Sequence, residues 1–234
     1  MSSPTSTSGP RGVLFDLDGT LVDSIPDLAE AVNDMLAELG RDPRPEATVA
    51  HWVGNGIEAL VRRALTDGRD EVEDRSLLEF ALQRFRAAYA KRNGTRSRPF
   101  PGVRTLLAAC RAQGLSVGLV TNKAAAFTAP LLERLELAEY FDVVVSGDTT
   151  SRKKPDPEPL FFALSALELR PEEAVMVGDS VHDIAAGRNA GMAKVCAVTY
   201  GYNHGKPIEV GSVDALVDEF EALREPLGLS PAAV

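Results

Sequence analysis

The 234-residue chain holds only two cysteines, Cys110 and Cys196, too few for a disulfide framework. Both fall inside apolar runs, where small buried hydrophobes are expected. Cations are also in short supply, with 25 Lys and Arg against 34 Asp and Glu, a net charge of -9 and a pI of about 4.9. That balance argues against a nucleic-acid or anionic-membrane partner, and any anionic substrate must be attracted by local cations. No apolar run approaches the ~18 residues of a membrane span. The opening residues 1–10 are rich in Ser, Thr, Pro and Gly and lack an apolar core, so a disordered tail is expected rather than a signal peptide or anchor. No His/Cys cluster with zinc-ligand spacing occurs, and no internal repeat. Asn93-Gly94-Thr95 matches a glycosylation acceptor, which is idle in the cytoplasmic setting expected here.

What is present is a repeated alternation. Five β-rich runs are expected at 12–16, 115–121, 142–146, 174–178 and 193–198, most of them nearly continuous in Val, Leu, Met and Ala. Such runs suit parallel strands covered on both faces. Helical patterns at 103–113, 124–137, 159–167 and 181–189 separate the later ones, with Gly114 and Gly191 placed as C-caps. The fold class is therefore α/β, a doubly wound parallel sheet of five strands. The first interval breaks the rhythm, because about 100 residues separate Asp16 from the second strand where a crossover needs only a dozen or more. The excess is helical in pattern, at 28–39, 57–65 and 77–89. We expect a catalytic core from residues 1–25 and 97–234 and an inserted all-helical cap domain at 26–96, with 96–102 as the returning hinge.

The chemistry-bearing residues cluster at strand ends, where open parallel sheets bind ligands. The first run ends in Asp16-Leu17-Asp18-Gly19-Thr20, two carboxylates spaced i, i+2 and so on one side of an extended backbone. Like charges delivered together by a buried strand are costly unless a cation or a reaction requires them. One carboxylate could act as nucleophile and the other move protons; an Asp-Gly turn after an edge strand is the bland alternative. The second run ends in Thr121-Asn122-Lys123 just before a helix, where hydroxyl, amide and helix N–H groups could cradle a phosphate, or where Thr and Asn simply cap the helix. After the third run, Pro155 holds Lys154 in extended backbone within a stiff loop, suited to neutralising a phosphoryl group, although basic loop residues are usually just solvated. The fourth run ends in Gly178-Asp179-Ser180, with Asp183 one helical turn later. Asp183 could be only a helix-dipole partner, but Asp179 brings a third carboxylate to the first two. Oxygen donors without His or Cys favour Mg²⁺ over zinc.

In this order and spacing the four segments resemble the motifs of haloacid-dehalogenase-superfamily phosphatases: Asp16 to Thr20 the first, Thr121 the second, Lys154 the third, Gly178 to Ser180 with Asp183 the fourth. The inserted helical segment resembles that family's cap. Trp52-Val53-Gly54-Asn55-Gly56 and Tyr200-Gly201-Tyr202-Asn203 are similar to segments of bacterial phosphoglycolate phosphatases; a plain turn before a helix would equally account for Gly54 and Gly56. The resemblance implies a Mg²⁺-dependent phosphomonoesterase. Asp16 would be the nucleophile and Asp18 the acid and base. Lys154, Thr121 and Asn122, with Gly19, Gly54 and Asn55, would bind substrate. Asp16, Asp18 (through its backbone carbonyl) and Asp179 would bind the metal, with Asp183 beside them orienting Lys154 or a metal-bound water. The expected partner is a small phosphorylated metabolite, 2-phosphoglycolate first, acted on in the cytoplasm by a monomer or homodimer. A sugar phosphate, a muramic acid phosphate or a sugar phosphomutase reaction stays open, since cap shape decides among them. A phosphoacceptor signalling domain would need neither Asp18 nor a cap, and a dehalogenase would not keep Asp18. A serine hydrolase built on Ser180 is disfavoured because no nucleophile elbow is expected and His182 lies too near it.

Overall fold

The computed structural model describes residues 9–69 and 74–231; of the expected tail at 1–10, all but Gly9 and Pro10 lie outside them. In chain order the elements are β1 (Gly12–Phe15), β2 (Val22–Asp23), α1 (Ile25–Glu38), α2 (Glu46–Ala50), α3 (Ile57–Thr66), α4 (Arg75–Arg92), β3 (Arg98–Pro99) and α5 (Val103–Ala112). There follow β4 (Ser116–Val120), α6 (Ala125–Arg134), β5 (Val143–Val145), α7 (Glu158–Ala166), β6 (Ala174–Gly178), α8 (Val181–Ala190), β7 (Lys194–Val198) and β8 (Ala215–Val217). The main sheet is parallel throughout, in the order β5-β4-β1-β6-β7-β8.

Alternation within the strands divides the core. In β1, Val13 and Phe15 pack on one face with Val117, Leu119, Val175 and Val177, beneath Leu106 and Leu107 of α5. Leu14 packs on the other face with Val120, Met176 and Leu160. Both faces are covered, which is why these strands read as continuous apolar runs. All five expected strands form, and β8 adds a sixth; three half-buried residues between Asp214 and Asp218 are too few to show a pattern. The expected C-caps Gly114 and Gly191 both take positive φ, at 76° and 74°. Gly114 to Gly118 also spells Gly-x-Ser-x-Gly, but Ser116 opens β4 opposite Gly12, at the end of the sheet away from the carboxylates, so it forms no nucleophile elbow. No described helix is long and apolar enough to cross a membrane.

The insertion after β1 is helical and has its own apolar cluster. Leu28, Val32, Met35 and Leu36 of α1 meet Leu78, Leu82, Phe85 and Tyr89 of α4, sets at i, i+4, i+7, i+8 and i, i+4, i+7, i+11 that each form one helix face. Asp74 caps α4 by accepting from the Leu77 N–H at 3.0 Å. The five-residue α2 was too short for its period to be legible.

The chain leaves and re-enters the sheet through the antiparallel pair β2–β3, where the expected hinge runs. Beside it Asp27, fully buried, accepts hydrogen bonds from the N–H groups of Gly94, Arg96 and Ser97 and the hydroxyls of Thr95 and Ser97, at 2.5–2.9 Å. Burial by itself would raise this carboxyl's pKa, but the Ser97, Arg96 and Thr95 donors outweigh it and hold the group below the usual carboxylate range. A depressed folded pKa stabilises above the unfolded carboxyl's pKa, and that stability is lost as pH falls through the folded value. Asp27→Asn should therefore cost about 2–3 kcal/mol in urea unfolding at pH 7, with the gap to the parent narrowing on acidification. Equal stability of the two proteins at neutral pH would mean that this clasp contributes nothing.

Candidate active site

Because β1, β4 and β6 are neighbours in one parallel sheet, their carboxyl ends deliver Asp16, Thr121 and Asp179 to one place. Asp16 still follows the ladder, its N–H donating to the Val177 carbonyl at 2.9 Å. Lys154, 4% exposed, reaches in from the loop after β5 and donates to Asp16 Oδ1 at 2.6 Å, Asp183 Oδ1 at 2.6 Å and the Val120 carbonyl at 2.7 Å. Those three acceptors use all three hydrogens of the ammonium. Burial alone would lower the Lys154 pKa, but Asp16 and Asp183 outweigh it and hold the group above its ordinary value. The other oxygen of Asp183 accepts from the Ser180 N–H and hydroxyl in a capping box at the start of α8.

Asp179 is held differently. Its oxygens accept from the Thr20 hydroxyl at 3.1 Å and the Tyr202 N–H at 2.7 Å, and no cation pairs with it among the described residues. Burial, then Asp16 and Asp183, push its carboxyl well above the usual range. Burial likewise raises Asp16 to about 7, with Lys154 opposing and Asp183 adding. Oxygens of Asp16, Asp179 and Asp183 can be chosen within 4.8 Å of one another. Three buried carboxylates beside one ammonium leave excess negative charge, and an oxygen-only donor set suits a hard divalent cation.

Asp18 turns away from this cluster to a second ammonium: Lys123 Nζ lies 3.1 and 3.2 Å from its two oxygens and donates to the Tyr89 hydroxyl of α4 at 2.5 Å. Burial would lower the Lys123 pKa, but Asp18 and Tyr89 hold it above its ordinary value. The paired carboxylates at i, i+2 thus have different cations.

Several expected roles change on contact with the geometry. Asn122 does not offer its amide to the cavity: Nδ2 donates to the carbonyls of Gly54 and Lys154, and Oδ1 accepts from the Lys154 N–H. It ties the Lys154 loop to the helical insertion. Neither Thr121 nor Asn122 caps α6, which begins only at Ala125 and whose first N–H goes to Asp148; Thr121 accepts instead from the Lys123 N–H, which closes the turn. Asn55 is engaged by Arg63 at 2.9 Å and His182 at 2.7 Å and stands outside the cavity lining, whereas Gly54 and Gly56 line it. Gly19, at φ 93°, makes room, since a Cβ there would lie 2.5 Å from Asp179 Oδ2. Lys123, Thr20 and Tyr202 lay in segments singled out from sequence but were given no role of their own, and Tyr89 was not singled out. Lys123 beside the Thr121 segment was the available signal; Tyr89 reads as one more apolar position of α4.

With this geometry in view, the relatives are informative. The model of the haloacid dehalogenase-like hydrolases matches residues 13–198, and the chain belongs to that family. More narrowly, it is 46% identical to a phosphoglycolate phosphatase of Pseudomonas putida over 92% of this chain and 78% of that one. It is 47% identical to one of Nitrosospira multiformis over 88% and 91%. The crystal structure of a predicted phosphoglycolate phosphatase from Haemophilus somnus superposes with a TM-score of 0.86 at 31% identity, covering 94% of this chain and 99% of that one.

Gly201 offers a test of the Asp179 seat, since an added Cβ would lie 2.1 Å from the Asp179 Cβ. Gly201→Ala must displace that carboxylate. Phosphatase activity should fall by about 10²-fold, the effect of an ångström-scale misplacement, while the thermal midpoint shifts by only a few degrees. Unchanged turnover would show that Asp179 need not sit where it does.

Proposed function

We propose that this enzyme hydrolyses 2-phosphoglycolate to glycolate and phosphate through a phosphoryl group carried on Asp16. The observation that carries the mechanism is the division of labour between adjacent carboxylates: Asp16 on Lys154, Asp18 on Lys123. The substrate is the one in the relatives' names. Asp16 attacks phosphorus and the ester P–O bond breaks, while Asp18 gives its proton to the leaving alkoxide oxygen. Asp18, now a base, takes a proton from water as that water attacks the aspartyl-phosphate; phosphate leaves and Asp16 is restored. Lys154 and the Thr121 hydroxyl bind phosphoryl oxygens, and Asp183 holds Lys154 on target. Mg²⁺, held by the side chains of Asp16 and Asp179 and the Asp18 carbonyl with Asp183 beside them, would supply the positive charge that lets a carboxylate approach a phosphate dianion. Residues 26–96 serve as a cap over a core of 1–25 and 97–234, excluding bulk water and reading the organic group. The proposed setting is the cytoplasm.

Two experiments test this. Removing divalent metal with a chelator should abolish phosphate release and Mg²⁺ should restore it; full activity in metal-free buffer would exclude the metal role. Asp16→Asn should form no phosphorylated protein and show no turnover. Asp18→Asn should lose about 10²–10⁴-fold on phosphoglycolate, less on an aryl phosphate whose leaving group needs little protonation, and should accumulate phosphorylated protein visible by intact mass under acid quench. Extra phosphate on the Asp16 variant instead would reverse the two roles.

A further inference from the structure

A 2-phosphoglycolate molecule carries a second anion, its carboxylate, and the cavity that would receive it is lined by few cations. Lys154, held by Asp16, Asp183 and the Val120 carbonyl, is committed to the phosphoryl group in the reaction proposed above. Arg63 donates to Asn55 and the Trp52 carbonyl, outside the lining. Lys153 is exposed. Lys123 differs on each count: it lines the cavity, is 6% exposed, and has two partners, the Asp18 carboxylate straddled nearly symmetrically and the Tyr89 hydroxyl. A single N–H shared between the two Asp18 oxygens would serve that carboxylate and free one of the three donors for a ligand.

We infer that Lys123 is the residue that binds the substrate's carboxylate and selects phosphate esters of small α-hydroxy acids, an inference that rests on the substrate proposed above. When Asp18 protonates the ester oxygen it stands within a hydrogen bond of it, and Lys123 Nζ lies 3.1–3.2 Å beyond Asp18's oxygens. The ammonium is therefore about 6 Å at most from the ester oxygen. In a glycolate ester a single methylene separates that oxygen from the carboxylate, whose own oxygens lie roughly 3 Å from it. The second anion thus falls in the gap that a charge-assisted hydrogen bond from Lys123 would span. Leu28, Val53, Ile57 and Leu60 also line the cavity, and apolar surroundings of this kind strengthen an ion pair. Lys123 arrives from the sheet and Tyr89 from the insertion, so the subsite is complete only where the two meet.

The test uses inhibitors that do not depend on Asp18 chemistry. In 3-phosphonopropionate a methylene replaces the ester oxygen of phosphoglycolate; propylphosphonate lacks the carboxylate. Wild-type enzyme with Mg²⁺ should bind the former more tightly by about 10- to 100-fold. Lys123→Met should erase that preference while leaving the propylphosphonate inhibition constant within a few-fold. Lys123→Gln, which keeps donors for Asp18 and Tyr89 without the charge, should erase it too and serves if the Met variant fails to fold; Lys123→Arg should retain most of it. Variants that keep the preference in a wild type that has it would overturn the role of Lys123 alone. A wild type that binds both phosphonates equally and turns over ethyl phosphate as well as phosphoglycolate would overturn the substrate assignment itself.

Discussion

The site depends on one electrostatic imbalance, three buried carboxylates gathered at the strand ends around a single saturated ammonium. Lys154 is shared between Asp16 and Asp183, and Asp179 is left with a hydroxyl and an amide. Burial makes each like-charge contact expensive, so much of the surrounding structure holds the arrangement in place. Asp183 closes a capping box as it grips Lys154. Gly19, Gly178 and Gly201 are small because a Cβ at any of them would collide with Asp179 or Asp183. The strain is kept where a divalent cation and a phosphate dianion would resolve it.

Asp18 obeys a separate logic although it is two residues away. Its ammonium comes from β4's loop and the phenol behind that ammonium from α4. The Asp16 side of the site is built from the sheet's own loops and α8, while the Asp18 side includes the insertion. Asn122 adds a second tie, from the Gly54 carbonyl to the Lys154 loop. Placement of the insertion is thereby registered in the chemistry without any of its side chains needing to touch phosphorus.

What could be read in advance was what is local. Asp16 and Asp18 announce themselves by i, i+2 spacing at the end of an apolar run, and Asp179 by its place at the tip of another; parallel pairing then brings such tips together. Strand identity survived because both faces are buried, which leaves little ambiguity in composition. Pairings across the chain were not legible. Lys123 finds Asp18 over 105 residues and Tyr89 over 34, and Asp27 finds the segment 94–97 over about 70. Asn122 misled for a related reason: an amide at a strand end can serve a ligand or brace two loops, and only the positions of Gly54 and Lys154 decide. β8 and α2 were missed because three and five residues carry no measurable period.

The β2–β3 pair has a consequence for how such an enzyme changes. The insertion departs and returns at adjacent points, Asp23 opposite Arg98, so everything between them hangs from the sheet like a pendant on a double cord. The spacing those two points must bridge is fixed by the ribbon and not by what hangs from it. Another helical segment of different length or shape could be spliced there without moving a strand of the main sheet, since chain ends that lie close together tolerate such exchange. Most of the hydrolytic apparatus would stay behind with the sheet. What would leave is part of the cavity wall and the phenol behind Lys123, so a new pendant inherits the Asp16 cluster and must supply its own support for Lys123 and Asp18.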